Sequence, residues 1–206
     1  MSVLERLSSA MGDPSEASNK AVAREALERP EILDEVAVGL EWDDHKLVGD
    51  CVEVFTEVAR ENPALVVPYV DHIIPLISHK DTRVRWEATH ALALVAFLVP
   101  EQIAPLLSDL VARIERDKNV IVRDYAVQAL GEYGRSGPEA AREVFPHLLR
   151  ALDVWDGKHA RLALEAMSKL LEIEPGLEAE VRAAAQGCLN HQRVGVRQLA
   201  RKLVKG

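Results

Sequence analysis

Apolar residues recur at helical spacing along the whole chain. Those around Arg85 share one stripe of a helix, and they are Val84, Ala88, Ala91, Leu92 and Val95. Prolines and glycines interrupt this pattern at intervals, at points where helices are expected to begin or end. No segment shows the alternation that is typical of a strand. The pattern therefore predicts an all-helical chain.

The helix that carries Arg85 returns 38 residues later around Arg123, with valine, arginine, two alanines and leucine in the same positions. Weaker copies follow further along the chain. The equivalent apolar positions are spaced by 37, 38, 37 and 37 residues, and they are Cys51, Ala88, Ala126, Ala163 and Ala200. A period this regular predicts stacked helical units, each of which packs against its neighbours.

The predicted helices form six antiparallel pairs joined by short connections. The pairs are 2–11 with 15–28, 31–41 with 44–60, 63–78 with 82–98, 101–115 with 119–133, 138–153 with 157–172, and 176–189 with 192–204. We expect a single α-solenoid over 1–206, with no separate domain. Within it, 1–29 is expected to be an N-terminal capping pair, 30–189 the repeats, and 190–206 a basic C-terminal capping helix.

The segment around Arg123 resembles a HEAT repeat. Asp117 lies in the predicted turn, Arg123 in the second helix, and Pro105 in the first helix, 37 residues after Pro68. The resemblance extends over about residues 31–206. It implies a right-handed α-α superhelix whose first helices line the convex surface and whose second helices line a concave groove.

Some pairs depart from the HEAT pattern. Asp81 stands closer to Arg85 than Asp117 does to Arg123, so the ladder of aspartate and arginine is expected to be broken there. Ala160 takes the place of the arginine in the fifth pair. His79 and His191 fall at the turns of related repeats, where a polar cap suffices.

The resemblance favours a non-catalytic scaffold or adaptor that binds a partner protein or peptide in the concave groove. The second-helix positions that vary between repeats are the expected contacts: Glu53, Trp86, His90, Asp124, Gln128, Arg161, Glu165 and Lys202. Large exposed aromatic residues often anchor interfaces, but the tryptophan at position 86 is equally compatible with packing against a neighbouring pair. The tryptophans at positions 42 and 155 lie in turn sequences and are expected to be structural.

Charge is distributed unevenly along the chain. Residues 1–78 carry 16 acids and 6 bases, whereas residues 190–206 carry five bases and no acid. Such ends could attract charged partners or neighbouring copies, but a solvated surface with a helix C-terminus that favours cations is the preferred interpretation. The predicted groove columns have a negative balance, which disfavours the first alternative function, nucleic-acid binding of the kind known from HEAT-like DNA glycosylases.

The second alternative is a HEAT-like enzyme that handles a cofactor or a metal. The sequence contains no metal-binding signature, phosphate loop or dinucleotide fingerprint, so we predict no active site and no cofactor. Cys51 and Cys188 lie among apolar helical positions and are expected to be buried free thiols. No apolar run is long enough to span a bilayer, and the start lacks a signal-peptide pattern, so a cytoplasmic protein is expected.

Overall fold

The computed structural model describes residues 2–205, and within that range the regular structure is helical, with no strand. The chain divides into two compact units between Leu98 and Val99. Each unit contains three of the six predicted helix pairs. The helical content of residues 2–205 confirms the predicted all-helical architecture. The proposed capping segments and the single continuous stack stay predictions.

The first unit is built around its longest helix. Its α-helices are α1 (Ser8–Met11), α2 (Ala17–Glu28), α3 (Ile32–Gly39), α4 (His45–Glu61), α5 (Val70–Ile73) and α6 (Thr82–Val95). The Asp44 carboxylate caps α4 by accepting from the Lys46 amide, and Asp81 caps α6 in the same way. Because α4 packs against both α2 and α6, residues 47–56 of α4 are all buried.

The second unit repeats the same plan. Its α-helices are α7 (Pro100–Ile103), α8 (Leu107–Arg116), α9 (Val120–Gly134), α10 (Pro138–Ala151), α11 (Val154–Gly157), α12 (Ala160–Leu170), α13 (Glu178–Gly187) and α14 (Val194–Lys205). The helix α12 packs against both α9 and α14, so the second helices of the three pairs lie side by side.

The repeated apolar column forms the core of both units. Its members are fully buried, with no exposed side-chain or backbone surface: Cys51, Ala88, Ala126, Ala163 and Ala200. Their small side chains let neighbouring helices approach closely. The burial confirms that the 37- to 38-residue period sets the packing of the helices. Burial also raises the pKa of the Cys51 thiol to about 12, as expected of an inert thiol.

The first helices of two pairs are less regular than the sequence pattern predicts. Around Pro68 the chain forms 3-10 turns at Val67–Tyr69, and Ile74–Ser78, which contains Pro75, is also a 3-10 helix. Pro105 lies in the equivalent 3-10 turn of the second unit. Proline lacks the amide hydrogen that an α-helix needs, so the predicted helix 63–78 is broken into short pieces.

Candidate binding site

The arginine that marks the repeats has a structural role. Nη1 of Arg85 donates to the carbonyl oxygens of His79 and Lys80 at 2.9 and 3.0 Å. Arg123 Nη1 donates to the Asp117 carbonyl at 2.6 Å, and Arg197 donates to the turn before its own helix. Each arginine therefore holds the turn between the two helices of its pair through the backbone carbonyls of that turn.

Four of the five expected groove residues in the second unit line one surface. We call this surface, formed by α9, α12 and α14, the second-helix face. It holds two adjoining depressions of about 380 and 510 Å³ that share Glu165 and Leu199. Predicted contacts line these depressions: Gln128, Arg161, Glu165 and Lys202. Gln198, which belongs to the same varying column as Arg161, also lines them. The other lining residues were not predicted from the sequence: Gly131, Glu132, Leu162, Ala166, Ser168, Lys169, Gly195, Leu199 and Arg201.

The floor of the second-helix face is made by small side chains where α9 meets α12. A Cβ atom at Gly131 would lie 2.7 Å from the Cβ of Ala166, so the two helices approach each other here as closely as glycine allows. Leu162 and Leu199 add partly exposed apolar surface beside them. The result is a shallow, mostly apolar floor with polar and charged side chains along its edges.

The charges on the second-helix face are only partly compensated within the protein. Glu165 accepts from Arg161 Nε at 2.8 Å, and Glu132 accepts from Lys169 Nζ at 2.8 Å. Among the residues that the structure describes, Arg201 and Lys202 have no ion-pair partner. One end of the face therefore carries a surplus of positive charge.

Asp124, another predicted contact, takes part in an internal hydrogen-bond chain. Its Oδ1 lies 2.6 Å from His159 Nδ1, and Arg123 Nε donates to His159 Nε2 at 2.9 Å. Because Nε2 must accept, Nδ1 carries the proton and donates to Asp124. His159 is fully buried, and both of its ring nitrogens are engaged, so this pair positions α9 against α12 rather than presenting a base to a ligand.

Two of the contacts predicted in the first unit are buried, so the prediction that they face a groove is wrong. Glu53 is 3% exposed and His90 is 6% exposed. Glu53 is covered because Asn19 of α2 and Arg83 of α6 donate to its Oε2 at 2.9 and 2.8 Å. Burial, followed by the charge of Arg60, lowers the pKa of His90 to about 4, so the imidazole is neutral and internal.

A buried polar cluster takes the place of the expected contact surface in the first unit. Arg83 Nη1 lies 2.8 Å from Asp50 Oδ1, and Asp50 also accepts from Asn19 Nδ2 at 3.0 Å and from the Ser9 amide at 2.7 Å. Burial acts to raise the pKa of Asp50, but these hydrogen bonds outweigh it and lower the pKa. The only hint in the sequence is a pair of acids, at positions 50 and 53, within the largely apolar stretch 47–56 of α4.

The stability of the protein is expected to depend on pH because Glu53 belongs to this buried cluster. Burial raises the pKa of Glu53 to about 7 from an ordinary value of 4.5, so the folded state binds this proton more tightly than the unfolded state. The stabilisation is complete below the unfolded pKa and is lost as pH rises through about 7. Between about pH 5 and 8, ionisation of Glu53 should lower the free energy of unfolding of the wild type by about 2–3 kcal/mol. The variant Glu53→Gln should not show this decrease, and urea denaturation measures the difference between the two proteins.

The comparison with Glu53→Gln is needed because His90 acts in the opposite direction. Its lowered pKa makes stability rise with pH up to about 6.5 in both proteins, so it cancels in the difference. Parallel pH profiles for wild type and variant would show that Glu53 does not carry the effect.

Trp86 is half-buried on α6, and its Nε1 donates to Glu87 Oε1 at 2.8 Å. Its role as an interface anchor and its packing against a neighbouring pair both stay predictions. Trp155 is clearer, because its Nε1 donates to the Ile114 carbonyl at 2.9 Å and its ring lies 4.0 Å from the Arg123 guanidinium carbon. This geometry confirms the expected structural role of Trp155 in its turn. Trp42 is 52% exposed and lines a separate groove in the first unit.

Residues 2–205 contain no group of three histidine, cysteine, aspartate or glutamate side chains that would hold a metal ion. In the same range, no helix combines the length and the apolar character needed to cross a membrane.

Comparison with solved structures identifies the fold. An engineered protein from a structural genomics consortium matches with a TM-score of 0.74 at 16% identity, covering 98% of this chain and 94% of that one. A computationally designed armadillo repeat protein for modular peptide recognition gives 0.72 at 16% identity, with 98% and 97% covered. The archaeal HEAT-like repeats protein from Thermococcus onnurineus NA1 gives 0.58 at 13% identity, with 91% of each covered.

No protein-family model matches the chain, and no curated protein matches it. At these identities the likeness to solved structures establishes the fold alone, which is the HEAT/armadillo-like repeat fold. The resemblance noted in the sequence is thereby confirmed at the level of architecture.

Proposed function

We propose that this HEAT/armadillo-like repeat protein is a non-catalytic scaffold that binds a segment of a partner protein on the second-helix face. The observation that carries the proposal is the pair of adjoining depressions, because they form one continuous track across α9, α12 and α14. Depressions with an apolar floor and polar edges are typical of sites that bind ligands and peptides.

The charges of the face favour a partner segment with acidic side chains. The carboxylates of Glu132 and Glu165 are already paired internally, whereas Arg201 and Lys202 are available. An acidic side chain near the basic end would gain charge-assisted hydrogen bonds, and apolar side chains would cover Leu162 and Leu199. The structural similarity to a repeat protein designed for modular peptide recognition supports this choice of ligand.

Nucleic-acid binding is a second candidate because Arg161, Arg201 and Lys202 lie close together at the basic end. Affinity for a phosphate backbone requires basic side chains that neutralise several phosphates. Glu132 and Glu165 line the same depressions and oppose an extended phosphate chain. We therefore rank this candidate below a protein partner.

We expect peptide selection to reveal binding at the second-helix face. Random peptides of about 12 residues, which span about 40 Å when extended, would be displayed on phage and selected on the wild-type protein. Enriched peptides should carry acidic residues beside apolar ones. By titration calorimetry, the double variant Arg161→Glu/Lys202→Glu should bind them at least about tenfold more weakly, since it reverses the charge of the basic end.

The matched control is Lys118→Glu/Lys158→Glu, which makes the same change in net charge at two exposed positions outside the depressions. It should bind the selected peptides within about twofold of wild type. Equal loss in both variants would contradict a localised site. Selection of no peptide, together with salt-dependent binding of duplex DNA that the double variant loses, would favour the nucleic-acid candidate.

A further inference from the structure

A second groove lies at the N-terminal end of the first unit. It has a volume of about 350 Å³ and is lined by residues of the first turns, of the loop before α4 and of α4 itself: Ser2, Leu4, Glu5, Ser9, Ala10, Trp42, Asp44 and Leu47. Trp42 is 52% exposed here, and Met11, which follows the lining residue Ala10 in sequence, is 59% exposed. Exposed large apolar side chains around one groove indicate an interaction surface.

The rim of this N-terminal groove is acidic. Glu5 and Asp44 line it, and Glu41 and Asp43 flank the tryptophan in sequence. Lys46 is the one base in the same stretch of loop, residues 41–46. An occupant of the groove is therefore expected to combine apolar surface with positive charge.

The last helix of the chain has this combination. On α14, Val194, Arg201 and Lys205 follow each other at helical spacing and share one face. Val194 is 57% exposed, and both bases are exposed. No ion pair holds either base within the described residues, 2–205. The helix and the residues just before it contain five bases and no acid.

We propose that the N-terminal groove of one copy receives α14 of a second copy. Val194 would pack near Trp42, while Arg201 and Lys205 would face Glu5 and Asp43. The two surfaces differ, so the contact is head-to-tail and leaves a free groove on one copy and a free α14 on the other. Such contacts produce open chains or closed rings. The proposal goes beyond partner binding on the second-helix face, with which it shares Arg201.

Sedimentation velocity tests the proposal on the intact protein. Wild type should show a weight-average sedimentation coefficient that rises with concentration between about 5 and 200 µM. Raising the salt from about 50 to 300 mM should weaken the association at least about fivefold, because exposed charges are screened. A wild type that stays monomeric over the whole range at low salt would overturn the proposal, whatever else α14 binds.

Charge reversal identifies the surfaces. The groove variant Glu5→Lys/Asp43→Lys and the helix variant Arg201→Glu/Lys205→Glu should each lose self-association at least about tenfold. Their mixture should associate again, because the intact α14 of the groove variant meets the intact groove of the helix variant. The matched controls Glu28→Lys/Glu172→Lys and Lys118→Glu/Lys158→Glu, at exposed positions elsewhere, should behave as wild type.

Two outcomes of the mixing experiment would overturn the head-to-tail contact. One is a mixture that remains monomeric although both variants keep the wild-type circular dichroism and melting temperature. The other is a single variant that associates as tightly as wild type. Peptide binding by Arg161→Glu/Lys202→Glu is measured separately, so a failure of self-association leaves the proposed partner site untouched.

Discussion

Replacement of Arg83 by alanine is expected to lower the free energy of unfolding by about 3–5 kcal/mol. The guanidinium lies 2.8 Å from both Asp50 Oδ1 and Glu53 Oε2, whose side chains are 1% and 4% exposed. Without it, Asp50 remains a buried carboxylate with only neutral donors from Ser9 and Asn19, and Glu53 beside it can no longer be ionised without an unpaired buried charge. Urea denaturation followed by circular dichroism at neutral pH measures the loss.

A triple variant separates buried charge from lost packing. Arg83→Met/Asp50→Asn/Glu53→Gln keeps the approximate shape of the cluster and removes all of its charges. It should recover at least about half of the stability lost in Arg83→Ala, because unpaired buried charge is the costly element. A loss below about 1 kcal/mol in Arg83→Ala would contradict the role of the cluster. A triple variant as unstable as the single one would show that shape matters more than charge.

The fold could be predicted from the sequence because its information is local and repeated. A buried small residue recurs at the position of Ala88 in each repeat, and an arginine recurs at the position of Arg85 in three of them. Both serve packing and turn geometry inside one repeat or between adjacent repeats. His79 and His191 confirm the same point, since each accepts from the backbone amide two residues later through Nδ1.

The buried cluster of the first unit could not be predicted in this way. Glu53 stands at a second-helix position that varies between repeats, and such positions were predicted to face outward. In the structure, however, α2 and α6 pack on that face of α4. The contacts join Asn19, Glu53 and Arg83, which lie 30 or more residues apart and belong to no motif. Whether a carboxylate faces solvent or an arginine depends on how neighbouring helices pack, and the period does not specify it.

In the second unit, most of the predicted varying positions do share one surface. Gln128, Arg161, Glu165 and Lys202 line one surface because α9, α12 and α14 pack side by side. Leu199 lies outside the two columns of varying positions, so the period does not point to it. The repeat period indicates which residues share a face when the stack is regular. It does not indicate which of them a partner contacts.

Replacement of Arg123 by alanine is expected to lower the free energy of unfolding by about 3–4 kcal/mol. Arg123 is 4% exposed, and it donates to Asp117 and His159 and stacks on Trp155. The fifth pair has alanine at its own arginine position, and its turn contains Trp155 and Asp156 with φ of 55° for both. Left-handed residues other than glycine cost about 1–2 kcal/mol each, so this turn depends on the arginine of the preceding pair.

Arg85→Ala is the matched comparison, because Arg85 makes the same bonds to turn carbonyls from a half-buried position. It should cost only about 1–2 kcal/mol, as expected when water can replace the lost donor. Arg123→Lys should restore little, since a single ammonium group cannot serve the carbonyl, the imidazole and the indole together. If Arg85→Ala were as damaging as Arg123→Ala, the turn carbonyls, rather than His159 and Trp155, would account for the stabilisation.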